Sequence, residues 1–129
     1  MPRETTVLSL NPDRKALLGY ESALRQNGFE IISVDSPLGA RFEIEMGRCG
    51  FFMSSYVTPL PIYQGLASLF RRYCPNGRVV FLAQSTHDRI LDADVLLLEG
   101  DEPSLLLRKL REASGESEQP LSLPNESSR

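Results

Sequence analysis

The residues in this chain that could do chemistry are few, and the clearest of them sit in "FFMSSYVTP" (51–59). Ser54 and Ser55 place two hydroxyls at the end of an apolar run, and Pro59 forbids further pairing on an interior strand. In an open α/β sheet, ligands bind at the carboxyl ends of the strands. Ser55 is therefore a candidate nucleophile, a ligand contact, or the replacement of an acid that would hold a metal. A serine nucleophile needs a base beside it. His87 is the one histidine, in "STHDR", and "MSSYV" has no glycine for the strained turn of a nucleophile elbow. A serine hydrolase is thus disfavoured, and His87 reads as a solvated loop residue.

Nucleotide chemistry fares no better. Neither GxGxxG nor GxxxxGK[ST] occurs, and "NPDRK" (11–15) puts Pro12 where a phosphate-cradling N–H would be needed. Cys49 and Cys74 share no metal-binding spacing and read as two buried thiols. At 129 residues the chain is one domain on the length prior, with 41% hydrophobic and 24% charged residues. A net charge of −3 argues against a nucleic-acid surface. No apolar run approaches the roughly 20 residues of a membrane span, and "MPRETTVLSL" lacks a secretory apolar core. The expectation is a cytoplasmic protein without cofactor, nucleic-acid or membrane partner.

The elements that must position these residues alternate. "TTVLSL" (5–10) is a β-rich run, followed by Asn11 as N-cap, Pro12 at the first helical position and a helix to about Asn27. Leu17, Tyr20 and Leu24 form its apolar face and Gly28 its stop. "FEIISV" (29–34) is the second strand. Ser36 and Pro37 open a helix to Met46, with Leu38, Phe42 and Glu45/Met46 marking its turns. "CGFFMSS" (49–55) is the third strand, and Ile62, Leu66, Leu69, Phe70 and Tyr73 give the next helix its period. Arg71 and Arg72 in "FRRY" read as a solvated face. "CPNG" (74–77) is a turn in which Asn-Gly tolerates positive φ. "RVVFLA" (78–83) and "DVLLL" (94–98) are strands covered on both faces. Pro103 starts a last helix. From Gly115 the chain is rich in Ser, Glu and Pro and reads as a disordered tail (115–129) behind a domain of residues 1–114. Alternation of this kind predicts a doubly wound parallel α/β sheet.

The polar end of the third strand, Pro59 four residues on, and "DADVLLLEGDEPSLLLRKL" (92–110) resemble the receiver (CheY-like) domain of response regulators over about Thr5 to Ala113. Ala93 and Asp94 match the pair that precedes the family's fifth strand, and Pro103 its last helix start. The resemblance implies a flavodoxin-like sheet of five strands in the order 2-1-3-4-5. It also implies a site in which an acid ending strand three takes a phosphoryl group and two acids after strand one hold Mg²⁺. A hydroxyl ending strand four and a lysine ending strand five then bind the phosphoryl oxygens.

On this chain the metal acids fall on Asn11 and Pro12, the acceptor on Ser55, the hydroxyl on Ala83 and the lysine on Glu99. The spacing to Pro59 favours Ser55 over Ser54. All five positions are changed. Glu99 reverses a charge worth about 4 kcal/mol at ~4 Å and an effective dielectric near 20. The chain thus resembles the atypical pseudo-receiver subgroup. The expected function is a stand-alone, non-enzymatic signalling module that binds a histidine kinase, a sensor or another signalling protein without being phosphorylated. The alternative is an active receiver with a displaced acceptor, Asp13 or Asp35. Only one or two turns around Thr86 to Leu91 remain for a shortened fourth helix. Uncovered apolar surface at Ile90, Leu91, Leu96 and Leu98 is therefore the expected partner contact, with a homodimer as the simplest case.

Overall fold

The computed structural model describes residues 5–13, 15–85 and 93–113. The elements run β1 (Thr6–Leu10), α1 (Leu18–Gln26), β2 (Glu30–Val34), α2 (Pro37–Met46), β3 (Phe51–Ser55), α3 (Leu60–Tyr73), β4 (Arg78–Ala83), β5 (Val95–Leu98) and α4 (Pro103–Ala113). The five strands form one sheet in the order β2-β1-β3-β4-β5, and every adjacent pair is parallel. Parallel neighbours require crossovers, and the crossovers bring helices onto both faces. The expected strand order and doubly wound architecture are what the structure has. The shortened fourth helix, His87, Ile90, Leu91 and the tail lie outside the described residues.

Alternate residues of the strands feed two cores. Leu8, Leu10, Phe52, Val79 and Phe81 face α2 and α3, where Ala40, Ile44, Tyr63 and Phe70 are buried against them. Val7, Phe51, Met53, Val80 and Leu97 face α1 and α4, packed on Leu17, Leu24, Leu106 and Leu110. Phe52, Tyr63, Phe70 and Phe81 form a connected ring cluster with centroids 4.6 to 6.3 Å apart. Cys49 and Cys74 are free and buried, and burial pushes the Cys49 thiol up to about 12, so it carries little thiolate.

Four local expectations are corrected. The first helix starts at Leu18, not at Asn11–Pro12. The Asn11 backbone N–H bonds the Val34 carbonyl at 2.9 Å and prolongs the sheet, while the Asp13 carboxylate accepts from the Lys15 and Ala16 amides and supports a turn. On α2 the marker residues Leu38, Phe42 and Met46 are exposed, and the smaller Ala40 and Ile44 are buried. The Ser36 hydroxyl does cap this helix by accepting from the Gly39 N–H, with Pro37 at the first position as expected. On α3 the buried stripe is Tyr63, Leu66, Ala67 and Phe70, and Ile62 and Tyr73 face outward. On β5 Val95 and Leu97 are buried but Leu96 is exposed, so the strand is covered on one face only at that point.

Gly77 is small for a different reason than its turn suggests. Positive φ among the described residues belongs to Gly28, Gly47 and Gly100, not to Gly77. A Cβ at Gly77 would lie 2.6 Å from Cζ of Phe70, a ring that is fully buried. Gly77→Ala should therefore destabilise by about 1–3 kcal/mol through overpacking. Urea unfolding checks this, and an unchanged midpoint would show that the ring can move aside.

Candidate functional site

The carboxyl ends of β1, β3, β4 and β5 open on one edge, and five positions singled out by sequence meet there. Val7 pairs with Phe51 and Ser9 with Met53; continuing that register sets Asn11 level with Ser55. Ser55 pairs with Leu82, Ala83 pairs with Leu98, and the Glu99 amide bonds the Ala83 carbonyl at 2.8 Å. Asn11, Ser55 and Ala83 are buried, whereas Pro12 and Glu99 are exposed. Ser55 lies on the strand face of Phe51 and Met53, toward α1, while Ser54 lies on the opposite face with Phe52.

Two of the buried polar side chains have partners within the protein. The Ser55 Oγ accepts from the Val57 N–H at 3.3 Å. Asn11 Nδ2 makes a long 3.5 Å contact to the Glu21 carboxylate. Reversing the amide would aim Oδ1 at that carboxylate, so the assigned orientation is the favourable one. Asn11 Oδ1, Ser54 Oγ and Thr58 Oγ1 are buried without a partner among the described residues. Unpaired groups of this kind cost about 1–3 kcal/mol each.

Two interactions here have no counterpart in the sequence-based site. Glu21 of α1 is 3% exposed and sits under the edge of the sheet. Its carboxylate accepts from the Ser9 hydroxyl at 2.6 Å and the Ser33 hydroxyl at 3.2 Å, besides Asn11. Ser9 and Ser33 are register partners on β1 and β2, so one acid ties two strands to a helix. Nearer the surface, the Tyr56 hydroxyl donates to the Glu99 carboxylate at 2.6 Å and bridges the ends of β3 and β5. The Tyr20 hydroxyl donates to the Asp101 carbonyl at 2.6 Å.

Between these tyrosines lies a cleft of about 360 Å³, lined in part by Asp13, Lys15, Tyr20, Tyr56, Glu99 and Gly100. The Tyr56 phenol is raised above its ordinary pKa, first by the bond to Glu99, then by burial and the charges of Glu99 and Asp13. Tyr20 is raised by burial and by Asp101 and Glu99. The amides of Lys15 and Ala16 hold the Asp13 carboxyl below the usual range. Two acids, two phenols and Lys15 give the cleft its polar lining.

A magnesium ion wants several oxygen ligands, usually with a carboxylate among them. Asn11 offers one neutral oxygen, Pro12 has no side-chain ligand, Ser55 is neutral, and Asp13 is turned to its own backbone amides. This donor set does not fit the ion. Among the described residues, no group of three or more His, Cys, Asp or Glu is placed to hold a metal, and no helix is long and apolar enough to cross a membrane. Of the expected contact residues on β5, Leu96 is exposed at its edge and Leu98 is half-buried against the core.

With this geometry in place, comparison with solved structures defines the fold. A response regulator receiver protein from Sinorhizobium medicae aligns over 88% of this chain and 97% of its own, with a TM-score of 0.72 and 20% identity. The fold is CheY-like. The chemotaxis response regulator CheY4 of Vibrio cholerae covers 84% of this chain and 98% of its own (TM-score 0.73, 15% identity). So does the Thermotoga maritima response regulator TrrA, whose structure is a complex with Mg²⁺ and beryllofluoride (TM-score 0.72, 16% identity). No protein-family profile and no curated protein matches the sequence. The CheY-like order 2-1-3-4-5 thus coexists with the changed carboxyl edge described above.

Two outcomes follow from the hydrogen bonds. Glu21→Ala strands the buried Ser9 hydroxyl and should cost about 1–3 kcal/mol for that group alone. Adding Ser9→Ala should recover part of the loss, and chemical denaturation of the single and double variants measures the coupling. Glu99→Gln should lower the Tyr56 ionisation midpoint toward the ordinary phenol value, as read by ultraviolet titration. The sign follows from the neutral phenol being the favoured form. The interaction is complete below the ordinary value and is lost as pH rises through the raised one.

Proposed function

We propose that this chain is a receiver-fold interaction module in bacterial signal transduction, one that binds a protein partner without being phosphorylated and catalyses nothing itself. One observation carries the reading. A carboxylate, Glu99, stands at the end of β5 and accepts a hydrogen bond from Tyr56, at the position that the resemblance gives to the family's phosphate-binding lysine. A phosphoryl group brought beside Glu99 would meet a like charge, and Lys15 is the one cation among the residues that line the cleft. Ser55, buried and bonded to Val57, has no base hydrogen-bonded to it among the described residues, and such a hydroxyl is a poor nucleophile. The partner on this reading is a histidine kinase, a sensor or a second copy of the chain, and the protein belongs to the pseudo-receiver kind.

A receiver with a displaced acceptor is the competing reading. Asp13 is exposed, but its carboxylate already accepts from two backbone amides, which lowers its basicity. Asp35 lies beyond β2, at the far side of the sheet from Glu99.

Acetyl phosphate with Mg²⁺ should add no phosphoryl mass to the intact protein. Mg²⁺ with beryllofluoride should leave the melting temperature unchanged, although a ligand at 100 times its dissociation constant would stabilise by ~2.7 kcal/mol. Ser55→Asp alone should remain unphosphorylated, because the new carboxylate faces Glu99 and its pKa rises. A mass gain located on Asp13 or Asp35 would instead establish the displaced acceptor.

A further inference from the structure

Three of the exposed large apolar side chains fall on one helix. Leu38, Phe42 and Met46 recur at every fourth position of α2 and are 77%, 58% and 52% exposed. The same helix buries only Ala40 and Ile44. Single exposed leucines are ordinary on a soluble protein, whereas a three-residue stripe of the largest side chains of one helix is the pattern of a covered face. Beside the stripe, α2 and α3 enclose a groove of about 520 Å³ lined in part by Leu38, Pro61, Ile62, Gly65 and Leu69. The groove is open at Gly65, where an added Cβ would meet nothing within 4 Å. A projecting stripe and a recess therefore share one surface.

We propose that this surface binds a second copy of the chain, with the two α2 helices antiparallel across a two-fold axis near Phe42. The charges beside the stripe favour a self-partner. Arg41 and Glu45 form an exposed pair at 3.0 Å along the helix flank. Antiparallel stacking brings Arg41 of each copy against Glu45 of the other, so the two intrahelical pairs, one in each copy, are exchanged for two pairs between copies. The stripe is self-complementary in the same sense, since Leu38 meets Met46 of the other copy and Phe42 meets Phe42. Residue i touching j while j touches i is the signature of an isologous interface. The aromatic sits at the centre, where the most sensitive interface residues concentrate. Among the described residues, β5 offers Leu96 as its one exposed large apolar side chain. This contact rests on the interaction-module reading for its purpose, but it is measured by association and not by phosphorylation.

Sedimentation velocity of the full chain over a concentration series should show a monomer–dimer equilibrium. Phe42→Glu should weaken it by at least about tenfold. Phe42 is more than half exposed, so the variant should keep the parent's melting temperature. Gly65→Lys gives a second test, because it adds a long charged side chain at the groove, its Cβ meets nothing within 4 Å, and lysine is a better helix former than glycine. Arg41→Glu should also weaken the dimer, by setting two glutamates together, and adding Glu45→Arg should restore it, because both copies carry both changes. A monomer at every concentration, or a dimer indifferent to Phe42→Glu and Gly65→Lys, overturns the proposal. A dimer that the single reversal weakens and the double does not restore overturns the antiparallel pairing. The phosphorylation assay is independent, so a chain that dimerises and takes phosphate refutes only the module reading.

Discussion

β1, β3 and β4 lie in the middle of the sheet and are buried at nearly every position, on both faces. Such strands leave no exit for a polar side chain except at their ends, where the helices diverge. A polar residue further in must find its partner inside, since an unpaired buried group is costly. Ser9 does so through Glu21, and Glu21 in turn must collect several donors to remain a buried carboxylate. The whole edge inherits this constraint. Asn11 and Ser55 are already at the limit of the buried zone, and Tyr56 and Glu99 are the first side chains beyond it that can reach each other.

That geometry explains how the same fold accommodates a different chemistry at its edge. A site that binds phosphate must gather positive charge and an oxygen-bound cation where the strands end. Here the strand ends carry a neutral amide, a hydroxyl and a methyl, and the outer ring carries a carboxylate bonded to a phenol. Tyr56 and Glu99 close β3 against β5 directly. One hydrogen bond within the protein thus links the two strand ends.

The architecture was legible in the sequence because periodicity changes sharply between elements, and because turn residues such as Ser36–Pro37 and Pro103 mark the starts of α2 and α4. The start of α1 was not. Asn11, Pro12 and Asp13 satisfy every local rule for a helix start, yet Asn11 is claimed by the sheet through Val34 and by the Glu21 network. Which face of α2 and α3 turns inward was also hidden. Leu38, Phe42 and Met46 follow the period as well as Ala40 and Ile44 do, and only the depth of the sheet decides that the smaller pair fits beneath. The buried acid left a trace that could have been read. Ser9 and Ser33 each interrupt an apolar strand, and Glu21 stands beside Tyr20 on the turn between Leu17 and Leu24. The buried hydroxyl of Ser9 calls for an acceptor, and the exposed Ser33 beside it on the next strand shares the one it finds.

The two surfaces of interest are joined by one short piece of chain. Residues 55–61 leave the strand end at Ser55, anchor to Glu99 through Tyr56, and enter the α2–α3 groove at Pro61. Pro59 and Pro61 fix φ over the last part of this path and limit how far it can flex on its own. Val57 is tied to the Ser55 hydroxyl and Thr58 to the Ser55 carbonyl, so the first part is held as well. A piece of chain restrained at both ends transmits a displacement better than a loose loop absorbs it. Tyr56 thus ties the segment that leads into α3 to the end of β5. The edge pocket and the helical face are best understood as one connected surface, whose geometry the protein fixes by its own side chains.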